Sequence, residues 1–378
     1  MKKKIGIVTF HRADNYGAVL QCMALGKYVA ACDPDANVAT LDYRCEYLEK
    51  PYHQPIYNCN TKNPIKYAKR IVRKLRYYKD SQQRKEAFEK FRSCNLQMTQ
   101  SYTKEELLRA CPRFDLLITG SDQVWNGRIV GDWDDRIYTL DFPTGGQRVS
   151  YAASAGSSTM IGNGTLQRIE KLDKISVREE EVALFLESKM DKEIVRCVDP
   201  VFLLTCEQWN DVLPKGRIMD EPFIFAYCIS GDRKKEVAQI AMRLAAENHC
   251  KVVFIDPEEN YGAYGECCCA AGPLDFVRYI RDAQVVVASS FHAAAFSAIF
   301  GKKCIALPGA GSGVRITEVL NALGGASCIV QSVDEFASQY TDLVSWPEVD
   351  AADKLENYRA SSQNYIQTLL AMEDRGEF

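Results

Sequence analysis

One histidine stands where an apolar run gives way to small residues, in the stretch VVVASSFHAAAFSAIFGKK at residues 285–303. The apolar run predicts a buried strand, and the residues after Ser290 predict a helix that begins beside His292. Beyond the carboxyl end of such a strand, a helix N-terminus offers backbone N–H groups and partial positive charge to an anion. The chain has four histidines, and this one is a candidate for phosphate binding or general acid catalysis. The alternative is a structural histidine.

Two further segments place polar residues at the same kind of junction. In DNYGAVLQ, Asn15 can contact a hydroxyl or merely cap the following helix, and Gly17 permits close approach of the backbone. In GSDQVWN, residues 120–126, a polar loop with one large aromatic is suited to hydroxyl recognition and sugar stacking. A helix cap at Asp122 above a buried Trp125 is the alternative. The candidate acceptor-binding residues are Asn15, Gly17, Asp122, Trp125 and Asn126.

Two arginines are candidates for binding an anion. Arg178 follows an apolar strand in SVREEE, and a guanidinium there can hold a carboxylate or phosphate by two parallel hydrogen bonds. A surface pair between arginine and glutamate is the alternative. The segment PGAGSGVRI carries three glycines and Arg315, which could wrap an anion, but it lacks the spacing of a P-loop or dinucleotide fingerprint.

Alternating strands and helices must position these residues. Apolar strands ending in polar loops recur in the first half as IGIVTF, FDLLITGSD, RVSYAASAG, ISVREEE and IVRCVDP. A second series begins at PFIFAYCIS and continues through KVVFID, AQVVVASS and KCIALP, with helices predicted at 234–248, at 274–282 and after His292. The pattern predicts an α/β protein with two doubly wound Rossmann-like domains and a cleft between them. We predict domains at 1–205 and 206–345, with a C-terminal helix in 346–378 that packs back on the first.

The composition narrows the classes of partner. A chain of 378 residues with 47% hydrophobic residues can bury two ordinary α/β cores. The net charge of −3 provides no global basic field for nucleic acid, which is not an expected partner. The start MKKKIGIVTFH lacks the apolar core of a signal peptide, and no run of about 18 apolar residues predicts a membrane span. We therefore expect a cytoplasmic protein.

One segment of the chain carries a strong net positive charge. Residues 62–92 contain twelve Lys and Arg against three Asp and Glu, a net charge of +9 in a chain of −3. Ile65, Ala68, Ile71, Leu75 and Tyr78 recur at helical spacing and predict an amphipathic basic helix. It is a solvated surface helix, an element that binds anionic lipid headgroups at the inner face of the cell membrane or, as the third alternative, a local contact with nucleic acid.

Most of the fifteen cysteines stand singly in apolar runs, which is typical of small buried residues. The run Cys267, Cys268 and Cys269 lacks the spacers of zinc or iron–sulfur sites. We expect reduced thiols and no metal.

Taken together, six segments resemble the polysaccharide pyruvyl transferase family. They are TFHRADNYGAVLQ, GSDQVWN, YAASAG, ISVREE, VDPVFLL and ASSFHAAAFSAIFGK, in this order, within a resemblance that runs from about residue 4 to residue 340. The resemblance implies transfer of pyruvyl from phosphoenolpyruvate to a sugar of a cell-surface glycan, as in exopolysaccharide biosynthesis. The product is a ketal across two hydroxyls, and phosphate is released without a cofactor. It also implies a GT-B-like pair of Rossmann domains, the first binding the acceptor and the second the donor.

The resemblance also assigns roles to individual residues. His292 corresponds to the general acid, and Arg178 would hold the donor's phosphate or carboxylate. Branches of the family carry Arg-Leu-His where this chain has Ser290, Phe291 and His292. Charge missing at position 290 would come from other cations. The candidate donor-binding residues are Ser290, Phe291, Arg315 and Lys302, with Lys303 as a further candidate. Asp199, which ends a strand, is expected to be structural.

Two other functions are compatible with the predicted architecture, because a fold does not determine a function. A nucleotide-sugar glycosyltransferase would place an acidic residue against the donor ribose, for which Glu318 is the one candidate. A non-catalytic glycan-binding protein would need neither His292 nor Arg178. The acceptor, a glycan or lipid-linked oligosaccharide, is not specified further by the sequence.

Overall fold

The protein forms two compact units. The computed structural model describes residues 2–50, 63–133, 135–229, 231–255, 265–309, 313–344 and 351–372. These residues divide into a first unit within 1–53, 92–204 and 359–378 and a second within 54–91 and 205–358. The division after residue 204 lies one residue from the predicted boundary. The basic segment belongs largely to the second unit instead of the first, and the predicted segment 346–378 is shared between the two.

The first unit is built on a parallel sheet in the order β3-β2-β1-β4-β5. A parallel pair, β6 and β7, continues it through bridges from Val149 to Lys174 and from Ala153 to Val177. The strands are β1 (Lys4–Val8), β2 (Asn37–Tyr43), β3 (Met98–Tyr102), β4 (Leu116–Thr119), β5 (Gln147–Ser150), β6 (Ile175–Val177) and β7 (Ile194–Arg196). Apolar runs correctly indicated five of these strands but neither β2 nor β3.

The second unit repeats this order with parallel strands β10-β9-β8-β11-β12. Its strands are β8 (Phe223–Tyr227), β9 (Lys251–Phe254), β10 (Gly265–Cys267), β11 (Val285–Ala288) and β12 (Lys303–Ala306). In both sheets, parallel neighbours are reached through helical crossovers such as α1 between β1 and β2 and α12 between β11 and β12. The prediction of an α/β protein with two doubly wound Rossmann-like halves is confirmed.

The helices cover both faces of each sheet. On β1, Ile5 and Ile7 pack in one apolar cluster and Val8 in another, because successive side chains point to opposite faces. The helices are α1 (Tyr16–Cys32), α2 (Glu46–Glu49), α3 (Pro64–Arg76), α4 (Tyr78–Asn95), α5 (Lys104–Arg109), α6 (Gly127–Val130), α7 (Asn163–Ile169), α8 (Glu180–Glu187), α9 (Cys206–Val212), α10 (Lys234–Glu247), α11 (Pro273–Asp282), α12 (Phe291–Ile299), α13 (Gly313–Ala322), α14 (Val333–Val344) and α15 (Ala351–Leu370). Short 3₁₀ helices occupy Ser158–Met160, Pro200–Leu203 and Ala326–Cys328.

The last helix, α15, uses its C-terminal half to cover the first sheet. Tyr365, Ile366 and Leu369 lie in the same buried cluster as Ile5 and Ile7. Within the described ranges, none of the helices has both the length and the apolar composition needed to cross a membrane.

Candidate functional site

The first unit gathers its candidate residues at the carboxyl ends of β1, β4 and β6. The hydroxyl of Thr9, after β1, donates to the carbonyl of Ser121, after β4, at 3.1 Å. The Ser121 hydroxyl lies 3.4 Å from the carboxylate of Asp199. Asp199 in turn accepts from Arg178, which follows β6, at 2.6 Å. Loops that are distant in sequence are therefore tied into one buried polar network.

Arg178 is the cation of this network. Its side chain is 6% exposed, and it contacts the carboxylates of both Asp199, at 2.6 Å, and Glu179, at 3.5 Å. Burial alone would lower the pKa of Arg178, but Glu179 and Asp199 outweigh burial and raise the pKa, so the guanidinium stays charged. The alternative of a surface pair with glutamate is wrong, because the pairing is buried and Asp199 is the closer partner.

Glu179 is a residue that the sequence reasoning passed over. It is 1% exposed, and its Oε1 accepts from the hydroxyl of Ser154. Its Oε2 is buried without a hydrogen-bond partner among the described residues. Glu179 directly follows Arg178 in the segment SVREEE, so its position beside the candidate arginine was the available signal. Asp199, predicted to be structural, both anchors Arg178 and caps the turn at Val201.

The cluster of Arg178, Asp199 and Glu179 contains two carboxylates for one guanidinium. It therefore carries no net positive charge with which to attract an anionic ligand. Any donor anion bound by Arg178 needs further cations or N–H donors to balance its charge.

The loop before α1 is held by buried polar contacts. His11 Nε2 lies 2.9 Å from Asp42, and Arg92 binds Asp14 at 2.8 Å. Burial alone would raise the pKa of Asp42, but hydrogen bonds from its neighbours, His11 first, hold that pKa well below its usual range. These contacts fix the loop that presents Asn15.

Asn15 is the N-cap of α1. Its side chain accepts from the backbone N–H of Ala18 at 3.2 Å, and it remains partly exposed. Gly17 is buried in the first turn. The capping interpretation of Asn15 is therefore correct, and a contact with an acceptor hydroxyl stays a prediction.

The loop after β4 bends sharply at Gly120 and Asp122. Gly120 has φ of +114°, and a side chain there would collide with the Tyr151 carbonyl. Asp122 has φ of +60°, is partly exposed, and accepts from the backbone N–H of Gln123 at 2.8 Å. A left-handed conformation in a residue other than glycine is uncommon and is enriched at functional sites. Asp122 is therefore the acceptor candidate in this loop that the structure leaves accessible.

Trp125 and Asn126 serve the fold of the same loop. Trp125 is 1% exposed, and its indole N–H donates to the Tyr138 carbonyl at 3.2 Å. The prediction that it stacks on a sugar is wrong, because both faces of the ring are packed in the core. Asn126 is buried and caps α6 by accepting from Arg128 and Ile129. The expected acceptor contact of Asn126 stays a prediction.

Because Trp125 is buried, we expect its replacement to lower the stability of the protein without weakening acceptor binding. Trp125→Phe should lower the free energy of unfolding by about 1–2 kcal/mol, because a buried hydrogen bond and some packing are lost. Denaturant titration measures this change, and the KM of the acceptor should stay at the wild-type value. A large rise in KM with unchanged stability would restore the stacking role.

In the second unit, the candidate residues lie beyond the carboxyl end of β11. The Ser289 hydroxyl is hydrogen-bonded, at 2.9 Å, to the thiol of Cys228, which follows β8. Ser290 is the N-cap of α12, and its hydroxyl accepts from the backbone N–H of Ala293. His292 lies in the first turn of α12 and is 7% exposed. Helix α12 begins at Phe291, one residue before the histidine. His292 is thus held at the positive end of a helix, at the edge of a sheet where ligands of this fold bind.

Phe291 connects His292 to Arg315. The Phe291 and His292 rings meet edge to face with centroids 5.1 Å apart, and the Arg315 guanidinium lies 5.9 Å from the centroid of Phe291. Arg315 belongs to the first turns of α13, which follows β12 at the same edge of the sheet. A cation, an imidazole and a helix N-terminus therefore share one corner of the second unit. Residues 310–312 of the glycine-bearing segment before Arg315 lie outside the described residues.

Lys302 is not part of this corner. It precedes β12, whose first residue pairs with Val285 at the start of β11, whereas His292 follows the end of β11. Burial lowers the pKa of Lys302, which lies near Asp282, Arg217 and Arg281. The expected donor contact of Lys302, and of the adjacent Lys303, is wrong because both residues lie at the opposite end of the sheet.

Single buried cysteines are free thiols, as expected, but two cysteines of the run 267–269 are not. Burial raises the pKa of the Cys22 and Cys304 thiols to about 12, so they remain protonated. Cys267 and Cys269, predicted to be reduced, form a disulfide with Cα atoms 5.4 Å apart, within bridging distance. No group of three or more His, Cys, Asp or Glu residues is arranged to bind a metal in the ranges that the structure covers.

Comparison with known proteins assigns this arrangement to a family. The model of the polysaccharide pyruvyl transferase family matches residues 15–309. The chain belongs to this family. The matched range includes Asn15, Asp122, Arg178 and His292, while Arg315 lies just beyond it. This pyruvyl transferase family member is therefore a transferase, and no curated protein sequence matches it.

Solved structures show the fold of this pyruvyl transferase. UDP-GlcNAc 2-epimerase from Methanocaldococcus jannaschii has a TM-score of 0.53 at 10% identity, covering 98% of this chain and 100% of that one. The Staphylococcus aureus MnaA–UDP structure also has a TM-score of 0.53, at 12% identity over the full length of both chains. At such low identity these structures establish only the GT-B-like fold.

Proposed function

We propose that the protein transfers a pyruvyl group from phosphoenolpyruvate to two hydroxyls of one sugar in a cell-surface glycan precursor, forming a ketal and releasing phosphate. The observation that carries the proposal is the corner of His292, Arg315 and the α12 N-terminus, in a chain that belongs to the pyruvyl transferase family. Phosphoenolpyruvate carries a phosphate and a carboxylate. Binding such a donor calls for cations and N–H groups beside one proton-donating side chain.

His292 would act as the general acid. Transfer of a proton from its ring to the methylene carbon C3 makes C2 cationic, and a sugar hydroxyl attacks C2. The bond between C2 and the phosphate oxygen then breaks, and the adjacent hydroxyl closes the ketal. The proton of the first sugar hydroxyl restores the proton that His292 delivered to C3. The proton of the second hydroxyl leaves with phosphate. A positioned acid of this kind contributes about 10²- to 10⁴-fold to the rate.

The arginines would bind the donor anions. Arg315 and the first turn of α12 bring positive charge to the corner that also holds His292, so we assign the phosphate to them. Arg178 would orient the donor through hydrogen bonds from a guanidinium that Asp199 holds in place. The preference for Arg315 follows from the excess of carboxylate over guanidinium around Arg178.

The acceptor sugar would be bound in the first unit. Asp122 is partly exposed and can accept a hydrogen bond from a hydroxyl, and Asn15 is partly exposed beside its capping contact. We further propose that the acceptor is lipid-linked and reaches the enzyme at the cytoplasmic face of the membrane.

The direct test is acceptor-dependent release of phosphate from phosphoenolpyruvate. Purified protein is mixed with phosphoenolpyruvate and acceptors containing galactose, mannose or N-acetylmannosamine. We expect one acceptor to stimulate phosphate release and its product to show the methyl signal of a ketal by NMR. Reactions without acceptor are the control.

A parallel assay with UDP-GlcNAc tests the nucleotide-sugar alternative, which the UDP bound by the MnaA protein motivates. Consumption of UDP-GlcNAc without turnover of phosphoenolpyruvate would replace the proposed reaction. For a non-catalytic glycan-binding protein, His292→Ala and Arg178→Ala would leave the pyruvate content of the cell's glycans unchanged.

A further inference from the structure

Helix α3 divides its charge and apolar residues between two sides. The helix, PIKYAKRIVRKLR, contains six Lys and Arg and no acidic residue. At 100° per residue, Ile65, Ala68, Ile71, Val72 and Leu75 fall within an arc of about 120°, and the basic residues occupy the remaining side. The sequence pattern predicted one helix that included Tyr78. The structure has two helices, and Tyr78 belongs to the second, so the apolar arc of α3 does not contain it.

The apolar side of α3 faces solvent. Ile65 is 67% exposed, Val72 is 66% exposed and Leu75 is 57% exposed. Ile71 is only partly covered. A surface helix normally turns its apolar stripe to the core, so a stripe left in water indicates an interaction with something outside the chain.

The following helix, α4, shows what a packed helix in this region does instead. Phe88 is fully buried and Phe91 is 4% exposed, and Gly272, at the start of α11, lies against Ala87. The apolar side of α4 is therefore used in folding. The apolar side of α3 is not used in this way, although only one residue separates the two helices.

We propose that α3 binds the anionic surface of a lipid bilayer, lying flat with Ile65, Val72 and Leu75 in the boundary between headgroups and acyl chains. An apolar arc flanked by Lys and Arg is the arrangement that such a surface binds, since lipid phosphates meet the cations and the acyl boundary takes the apolar residues. The inference rests on this helix alone and does not depend on the donor or the reaction.

The charge and the exposed apolar residues of α3 disfavour two other partners, a second copy of the chain and a nucleic acid. Two copies of α3 pairing through the same face would bring twelve like charges together without an acidic residue on either helix. A nucleic-acid backbone would match the cations but would leave the exposed apolar arc in water.

Vesicle flotation of the full-length protein tests the proposal. We expect binding to phosphatidylcholine vesicles containing about 30% phosphatidylglycerol, weaker binding to phosphatidylcholine alone, and loss of binding as salt rises. Neutralising Lys66, Lys69 and Arg76 to Gln should lower the partition coefficient by about fivefold each and by on the order of 100-fold together. Ile65→Ser with Val72→Ser and Leu75→Ser should lower it by roughly tenfold or more at unchanged charge.

Matched variants distinguish the helix from general charge and general hydrophobicity. Neutralising Lys79, Lys85 and Lys90 of α4 removes the same charge, and Leu184→Ser with Val314→Ser removes similarly exposed apolar residues; both should change binding much less. Circular dichroism shows that each variant folds. Equal vesicle binding by the α3 serine variant and the wild type would overturn the proposal. So would a wild-type dimer that this variant dissociates, because α3 would then bind a second copy.

Discussion

His292→Gln should lower the rate of acceptor-dependent phosphate release by about 10²- to 10⁴-fold, because the amide of glutamine is too weak an acid to protonate C3 of the donor. The KM of phosphoenolpyruvate should change far less than kcat, since the corner of Arg315 and the α12 N-terminus remains. The pH–rate profile should also lose the limb that reports the general acid. Steady-state phosphate release across pH measures all three quantities.

His249→Asn is the matched control for this prediction. His249 is an exposed histidine of the same unit with φ of +50°, a conformation that asparagine tolerates, and it lies at the end of α10. Its replacement should leave turnover at the wild-type level. If His292→Gln kept turnover within a few-fold of the wild type, another group would have to supply the proton.

Arg178→Met should lower the free energy of unfolding by about 3–5 kcal/mol, because it leaves the carboxylates of Asp199 and Glu179 buried without their counter-charge. The triple variant Arg178→Met, Glu179→Gln and Asp199→Asn should recover most of that loss. The amides keep the shape of the site and can still accept hydrogen bonds from Ser154 and Val201, but they carry no charge. Denaturant unfolding of the wild type, the three single variants, the three double variants and the triple variant measures the coupling among the three residues.

The same triple variant separates a structural role of Arg178 from a role in donor binding. If Arg178 orients the donor, the triple variant should fold but release phosphate far more slowly than the wild type. If Arg178 only neutralises its neighbours, turnover should return together with stability. Recovery of turnover would refute the assigned contact with the donor.

The strands of both sheets differ in how well the sequence indicated them. β11, with three valines, is buried on both faces and reads as an apolar run. β3, MTQSY, is an edge strand with no fully buried residue, and β2 carries Thr40 and Asp42 within its run. Polar residues in these strands take part in contacts that a local pattern does not contain, such as the bond from His11 to Asp42. These two strands were therefore missed.

The candidate site shows the same division. The positions of Asn15, Arg178 and His292 at the ends of strands were readable, because strand and helix periodicity are properties of neighbouring residues. Whether each side chain is exposed depends on residues far away in the chain. Trp125 is sealed by its contact with Tyr138, and Lys302 lies at the opposite end of its sheet from His292 because β12 pairs in parallel with β11.

By itself, the sequence determined the two α/β halves, the strand-to-helix junctions that carry the polar residues, and the resemblance to a family. Each of these is recorded in short segments, where the period of apolar residues and the identity of one or two polar side chains suffice. Only the tertiary structure decided that Arg178 is balanced by Asp199, 21 residues along the chain, that Arg315 lies beside Phe291, and that the apolar side of α3 remains in solvent. Burial and charge balance are sums over all neighbours in space, and the spacing along the chain does not contain them.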